Sequence, residues 1–188
     1  MIILGSQSKY RKGVLEELGF KFETMSSDID EKNIRDDNPK KLVLKLARAK
    51  NNALKDKIGT NDILITSDQI TIFKNEIREK PVSYEEAKKF LKDYSNSNLA
   101  TYTSLVIYNK SNRKQAEGVD VVNVFFNEIP DSDIQRIIDK KYILNCGGGF
   151  MIKDPILLKH VKKIDGDIKS VMAMPPKLLK KLLKEIKN

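Results

Sequence analysis

The stretch ILITSDQITIF, Ile63–Phe73, is β-branched and apolar except at its centre, where Asp68 and Gln69 interrupt it. Asp is depleted in strands, and an ionised carboxylate gains little in the middle of one without a partner. Two readings stay open. Either a cation or a hydrogen-bond network holds Asp68 inside a strand, or the strand ends there and Asp68 caps a turn. The pattern alone favours the turn. Directly after this stretch, Lys74-Asn75 has the look of a hairpin turn.

Upstream, Asn38-Pro39 supplies a cap and a first turn for a helix running to about Asp56. At about 100° per residue, Leu42, Val43, Leu46, Ala47, Ala53 and Leu54 form one apolar arc. Lys50 falls in the middle of that arc, whereas Lys41, Lys45, Arg48 and Lys55 fall opposite. A lysine facing inward needs an anion. The other reading is that Lys50 snorkels outward over the helix edge.

The rest of the chain alternates strands and helices. A short apolar strand, Met1 to Leu4, leads through Gly5-Ser6-Gln7-Ser8 into a helix to about Leu18, stopped by Gly19. Phe20 to Thr24 reads as a strand. Ser83 to Glu86 is a capping box opening a helix through Tyr94. Strands Thr101 to Tyr108 and Val119 to Phe126 flank a polar turn, Asp131 to Asp139 is a short helix, and a last helix follows Pro175-Pro176. The class is therefore α/β or α+β with a mixed sheet. With 188 residues and neither repeat nor linker, a single domain spanning 1–188 is expected.

Thirty-five Lys and Arg against 26 Asp and Glu give a formal charge of +9, which favours anionic partners or simply a solvated lysine surface. Cys146 is the sole cysteine, so no intrachain disulfide forms, and the N-terminal apolar run is too short for a signal-peptide core. A soluble, cytoplasmic protein is the expectation. His160 is the only histidine, which argues against a zinc site. The terminal KLLKKLLKEIK has an apolar stripe that suits either an interfacial helix or packing on the protein's own core, and the second reading is taken.

Gly5 to Ser8, between a strand and a helix N-terminus, can cradle phosphate, though it lacks the lysine of a Walker loop. Gly147-Gly148-Gly149 is a second permissive loop. Each signal is weak alone. In order and spacing, however, LGSQSKYRKGVLEELGFKF, Asp30-Glu31, LARAK ending at Lys50, Ser67-Asp68-Gln69, Glu79-Lys80-Pro81, NCGGGF and IKSVMAMPPKLLKKLL resemble the Maf family of nucleotide pyrophosphatases. SDQ, SKYR and Cys146 before the glycines resemble its branch acting on 7-methyl-GTP; the other branch prefers dTTP and UTP. Asn96 and Met172 to Met174 depart from the family pattern. Lys153 stands where Glu or Gln is usual, at a position associated with base selection, and should repel a cationic methylated ring unless Asp154 offsets it.

The resemblance implies an elongated mixed sheet flanked by helices, inosine-triphosphatase-like, with two lobes around a nucleotide cleft. It implies hydrolysis of a nucleoside triphosphate such as 7-methyl-GTP to monophosphate and diphosphate, limiting incorporation of modified nucleotides. Such cleavage needs cations at the leaving diphosphate and an activated water. Arg11, Lys50 and Lys80 are assigned to the phosphates, with Ser6 and Ser8 as donors. Asp68 is the candidate proton acceptor, or, with Glu31, the holder of Mg²⁺ or Mn²⁺. Tyr10, Gln69 and Lys153 are assigned to base selection. A homodimer is suggested, with no membrane and no specific nucleic acid as partner. The rival class is a non-catalytic nucleic-acid-binding or cell-division regulatory protein.

Overall fold

A computed structural model describes residues 1–187. Strand β1 (Ile2–Leu4) is followed by α1 (Lys9–Glu17), β2 (Phe22–Thr24), a 3-10 turn (Glu31–Asn33) and α2 (Pro39–Leu54). Next come β3 (Ile63–Phe73), β4 (Glu76–Arg78), α3 (Tyr84–Tyr94), β5 (Asn98–Asn109) and β6 (Lys114–Phe126). The chain ends with α4 (Asp131–Asp139), α5 (Pro155–Leu158), β7 (Val161–Asp165), α6 (Ile168–Val171) and α7 (Pro176–Glu185). One sheet takes the order β2-β1-β3-β5-β6-β7, with β4 also on β3. β1 is parallel to β2 and β3, while β3–β4 and β6–β7 are antiparallel, so the sheet is mixed as expected.

Local chemistry accounts for most boundaries. The Asn38 side chain accepts from the amides of Lys40 and Lys41 at 3.0 and 3.1 Å, with Pro39 in the first turn of α2. Ser83 caps α3 through the Glu86 amide at 3.1 Å. Glu86 returns its carboxylate to the Val82 amide at 2.7 Å, one residue before the position a capping box would use. After α1, Gly19 turns left-handed, and the Phe20 amide reaches back to the Leu15 carbonyl at 3.0 Å. Phe20 is thus spent on closing the helix, and β2 begins at Phe22 rather than Phe20. Lys74 and Asn75 both have positive φ between paired Phe73 and Glu76, the two-residue hairpin twist that matches the strands it joins. Asn96, where the resemblance led to glycine, adopts φ 54°, which Asn tolerates better than most residues.

The turn reading of Asp68 fails. β3 runs unbroken through it, because the carboxylate has buried partners described below.

The chain forms two compact units, one of Met1–Gln69, Thr103–Asp120 and the chain from Lys169, the other of Ile70–Tyr102 and Val121–Ile168. In the first, Leu4, Val14, Leu15, Ala47, Ile65 and Leu105 are wholly buried. Leu179, Leu182 and Ile186 of the terminal stripe are buried too, so that stripe belongs to the protein's own core. No helix among the described residues is long and apolar enough to cross a membrane.

The second unit centres on Tyr94, with Phe73 at 5.4 Å edge-on and Phe126 and Phe150 each at 6.2 Å between ring centroids. Its hydroxyl donates to the Gly148 carbonyl at 2.7 Å, and burial pushes the phenol's pKa upward. Gly148 has φ 73°, and a Cβ there would lie 2.7 Å from the Thr71 side chain. Gly148→Ala should therefore destabilise the protein by about 2 kcal/mol, seen as a lower denaturation midpoint at unchanged m-value.

Candidate active site

The SDQ segment faces two ways. Successive strand residues point to opposite faces. Thr66 and Asp68 reach toward α2, Thr66 through the Ala47 carbonyl at 2.9 Å. Ser67 and Gln69 reach toward the chain after α6 and into its last turn. β5 repeats the arrangement with Thr103 donating to the Ser170 carbonyl and Ser104 to that of Val43.

On the α2 side, Lys50 is only 6% exposed. Its ammonium lies 2.5 Å from Asp68 Oδ1 and 3.0 Å from Glu31 Oε1. The inner-face reading of Lys50 therefore holds, and the snorkelling reading does not. Asp68 is equally buried, and its pKa is raised: burial is the largest cause, and the charges of Lys50 and Arg11 oppose it. Glu31 differs from both, with about half of its side chain in water (52%). It is presented by the 3-10 turn that Asp30 caps, the Asp30 carboxylate accepting from the Lys32 amide and from Asn33 Nδ2 at 2.7 Å. The acidic pair Asp30-Glu31 thus divides its work: one residue shapes the turn and the other meets Lys50.

Arg11, half-buried on α1, donates from Nη1 to Ser6 Oγ at 3.0 Å. Burial lowers its pKa against the opposing charges of Asp68 and Glu31. Its Nε is buried with no hydrogen-bond partner among the described residues. Ser6 Oγ also accepts from the Ser8 amide at 3.2 Å, and Ser8 occupies the N-cap of α1 without capping it by side chain. Nothing acidic sits in the first turn of α1. Gly5 lets this loop lie against the sheet: a Cβ there would meet Thr66 at 2.7 Å and Leu54 at 2.9 Å.

A helix N-terminus, two hydroxyls, two cations and a strand carboxylate thus share one region. The Maf-like protein family matches residues 1–186 of the sequence. The chain belongs to that family. It is 34% identical to a 7-methyl-GTP pyrophosphatase of Dictyostelium discoideum, covering 98% of this chain and 96% of that protein. It is also 32% identical to a nucleoside triphosphate pyrophosphatase of Chlamydia muridarum, covering 98% and 93%.

Within this Maf-like chain, Ser6, Arg11, Glu31, Lys50 and Asp68 come together in the first unit. Tyr10 is 41% exposed on α1. Gln69 uses its amide nitrogen internally, toward Thr103 Oγ1 at 2.8 Å and the carbonyls of Ser170 and Val171 at 3.0 and 3.2 Å. Lys80 and Lys153 belong to the second unit, and both are exposed. Asp154 cannot offset Lys153 by facing a ligand. It is 1% exposed and caps α5 through the Ile156 and Leu157 amides at 2.8 and 3.2 Å. Its other oxygen accepts from Lys140 at 2.5 Å and from the Tyr142 hydroxyl at 2.7 Å. Burial would raise its pKa, but these bonds outweigh that and leave the carboxyl below its ordinary value.

Sequence reasoning missed Thr66, Ser104 and Asn51, each wholly buried beside Lys50 or Asp68. The available signal was hydroxyl residues inside apolar strand runs, TS at 66–67 and again at 103–104.

Removing one partner of a buried ion pair strands the other charge. Lys50→Met should therefore cost about 3 kcal/mol of stability, and adding Asp68→Asn should recover most of it. Urea unfolding of the two single variants and the double variant measures the coupling.

Proposed function

We propose that the chain is a nucleoside triphosphate pyrophosphatase, cleaving between the α- and β-phosphates to release a monophosphate and diphosphate. The observation that carries this reading is the buried Lys50 ammonium, set between a strand carboxylate and a half-exposed one beside Arg11. Membership of the Maf-like family and two relatives named as pyrophosphatases support it.

In this reading a water oxygen bonds to the α-phosphorus as the bond to the bridging oxygen breaks. Asp68 accepts the water's proton, and the leaving diphosphate takes the bridging oxygen's charge. Lys50 and Arg11 offset that charge, and Ser6, Ser8 and the N-terminal end of α1 hold phosphate oxygens. Lys80 is assigned to the same phosphates on the resemblance of its Glu79-Lys80-Pro81 motif alone.

No group of three or more His, Cys, Asp and Glu side chains suited to a metal is found among the described residues. Two carboxylates around one ammonium, Glu31 and Asp68, are nonetheless what Mg²⁺ or Mn²⁺ uses when substrate oxygens and water complete its shell. A divalent ion bound there would lower the pKa of a water and neutralise phosphate charge. Lys50 then exchanges a carboxylate for a phosphate oxygen.

The preferred substrate proposed is 7-methyl-GTP, supported by the SDQ segment and the Dictyostelium relative's name; dTTP or UTP is the alternative. Hydrolysis would keep the modified nucleotide out of nucleic acid.

A panel of standard and modified nucleoside triphosphates, scored for monophosphate and diphosphate, tests the reading. Turnover of none of them rejects it. Asp68→Asn should abolish turnover in a folded protein, and near-wild-type activity removes Asp68 from the mechanism. A proton acceptor must be ionised, and the Asp68 pKa is raised, so activity should climb with pH through that value. The acid limb of kcat/KM should accordingly lie above the ordinary aspartate range, about 3.9. Lys153→Glu should raise the ratio of 7-methyl-GTP to GTP turnover; an unchanged ratio frees Lys153 from base selection.

A further inference from the structure

Two buried hydroxyls lie between α2 and the strand that carries Asp68. Ser104 Oγ donates to the Val43 carbonyl at 2.7 Å and accepts from the Asp68 amide at 3.3 Å. Thr66 Oγ1 donates to the Ala47 carbonyl at 2.9 Å and accepts from Asn51 Nδ2 at 3.3 Å. Ser104, Thr66 and Asn51 are all 0% exposed. Val43 and Ala47 are one helical turn apart, and Lys50 and Asn51 occupy the next turn.

Apolar side chains would fill these places well, since Leu64 and Val106, two residues along on the same faces of their strands, are already wholly buried. A hydroxyl taken out of water gives up its hydration and recovers only what its new partners return. What it adds over a methyl group is direction. Apolar packing tolerates a helix that slides or turns slightly, whereas a hydrogen bond fixes both translation along the axis and rotation about it. A rotation matters here because one residue's slip turns the helix by about 100° and carries Lys50 away from Asp68.

We infer that Ser104 and Thr66 are positioning residues: their bonds to Val43 and Ala47 lock α2 onto the strand so that the Lys50 ammonium meets the Asp68 carboxylate. The inference rests on the pyrophosphatase reading for its kinetic consequence, but not for its structural one. Ser104 deepens the link by also holding the Asp68 backbone, so one oxygen binds both the helix of the cation and the strand of the anion.

Ser104→Ala should lower kcat for 7-methyl-GTP by about tenfold or more while KM moves less than about threefold, the pattern of a misplaced but present catalytic pair. Ser104→Thr, which keeps the oxygen, should restore kcat. Thr101→Val is the control: Thr101 is 1% exposed and donates to the Val122 carbonyl at 3.5 Å in the second unit, so it should lower stability without changing kcat. Independently of turnover, the Lys50–Asp68 coupling measured by urea unfolding of Lys50→Met, Asp68→Asn and the double variant should shrink when the cycle is repeated in a Ser104→Ala background, because the two side chains are less firmly held together. Should Ser104→Ala not fold, Thr66→Val, which exchanges the hydroxyl for a methyl, carries the same measurements. A folded variant with wild-type kcat and wild-type Lys50–Asp68 coupling overturns the inference. A wild-type protein that turns over nothing, yet whose Lys50–Asp68 coupling falls in the Ser104→Ala background, keeps the inference and rejects the pyrophosphatase reading.

Discussion

An ammonium group with almost no access to water is an expensive thing to fold around, and the ion pair between Lys50 and Asp68 is what makes it tolerable. Neither charge is stable in its place alone. Lys50 comes from the inner face of α2, amid residues that are otherwise apolar, and Asp68 from the middle of a strand where a carboxylate is out of keeping. Each anomaly cancels the other. Glu31 adds a second, wetter arm to the same ammonium, and Arg11 stands in the field of both carboxylates. The charges balance two against two. In the proposed reaction an incoming polyphosphate meets cations whose present partners can be displaced, and the half-exposed Glu31 is the easier of those partners to move.

The strand around Asp68 extends this economy. Its alternation sends Thr66 and Asp68 to the helix that carries Lys50, and Ser67 and Gln69 to the backbone around Ser170 and Ala173. Ser67 donates to the Ala173 carbonyl at 3.2 Å, where the chain adopts φ 64°. A four-residue polar segment inside an apolar strand thereby ties two chain-distant elements of the first unit to one place. The amide nitrogen of Gln69 belongs to that internal stitching.

Much of this was readable in the residues. Periodicity located α2 and put Lys50 on its inner face, and the caps at Asn38 and Ser83 fixed helix starts, because these signals are local. Asp68 was the instructive failure. Pattern alone made it a turn, since the residues that let it stay in a strand, Lys50 and Ser104, lie 18 and 36 positions away. Long-range pairing leaves no mark in local propensity. The same holds for Asp154, adjacent to Lys153 in sequence yet consumed by Lys140, Tyr142 and two amides. The acidic pair Asp30-Glu31 was visible, but its division between a turn and an ammonium was not.

The two units are also interleaved along the chain, which passes from one to the other after Gln69, Tyr102, Asp120 and Ile168. Three of those passages fall inside β3, β5 and β6, and the fourth falls inside α6. Neither unit is a single continuous stretch of the chain. A nick or truncation in any of these elements therefore damages both cores together, so the gene offers no seam at which one unit could be exchanged, duplicated or lost while the other was kept.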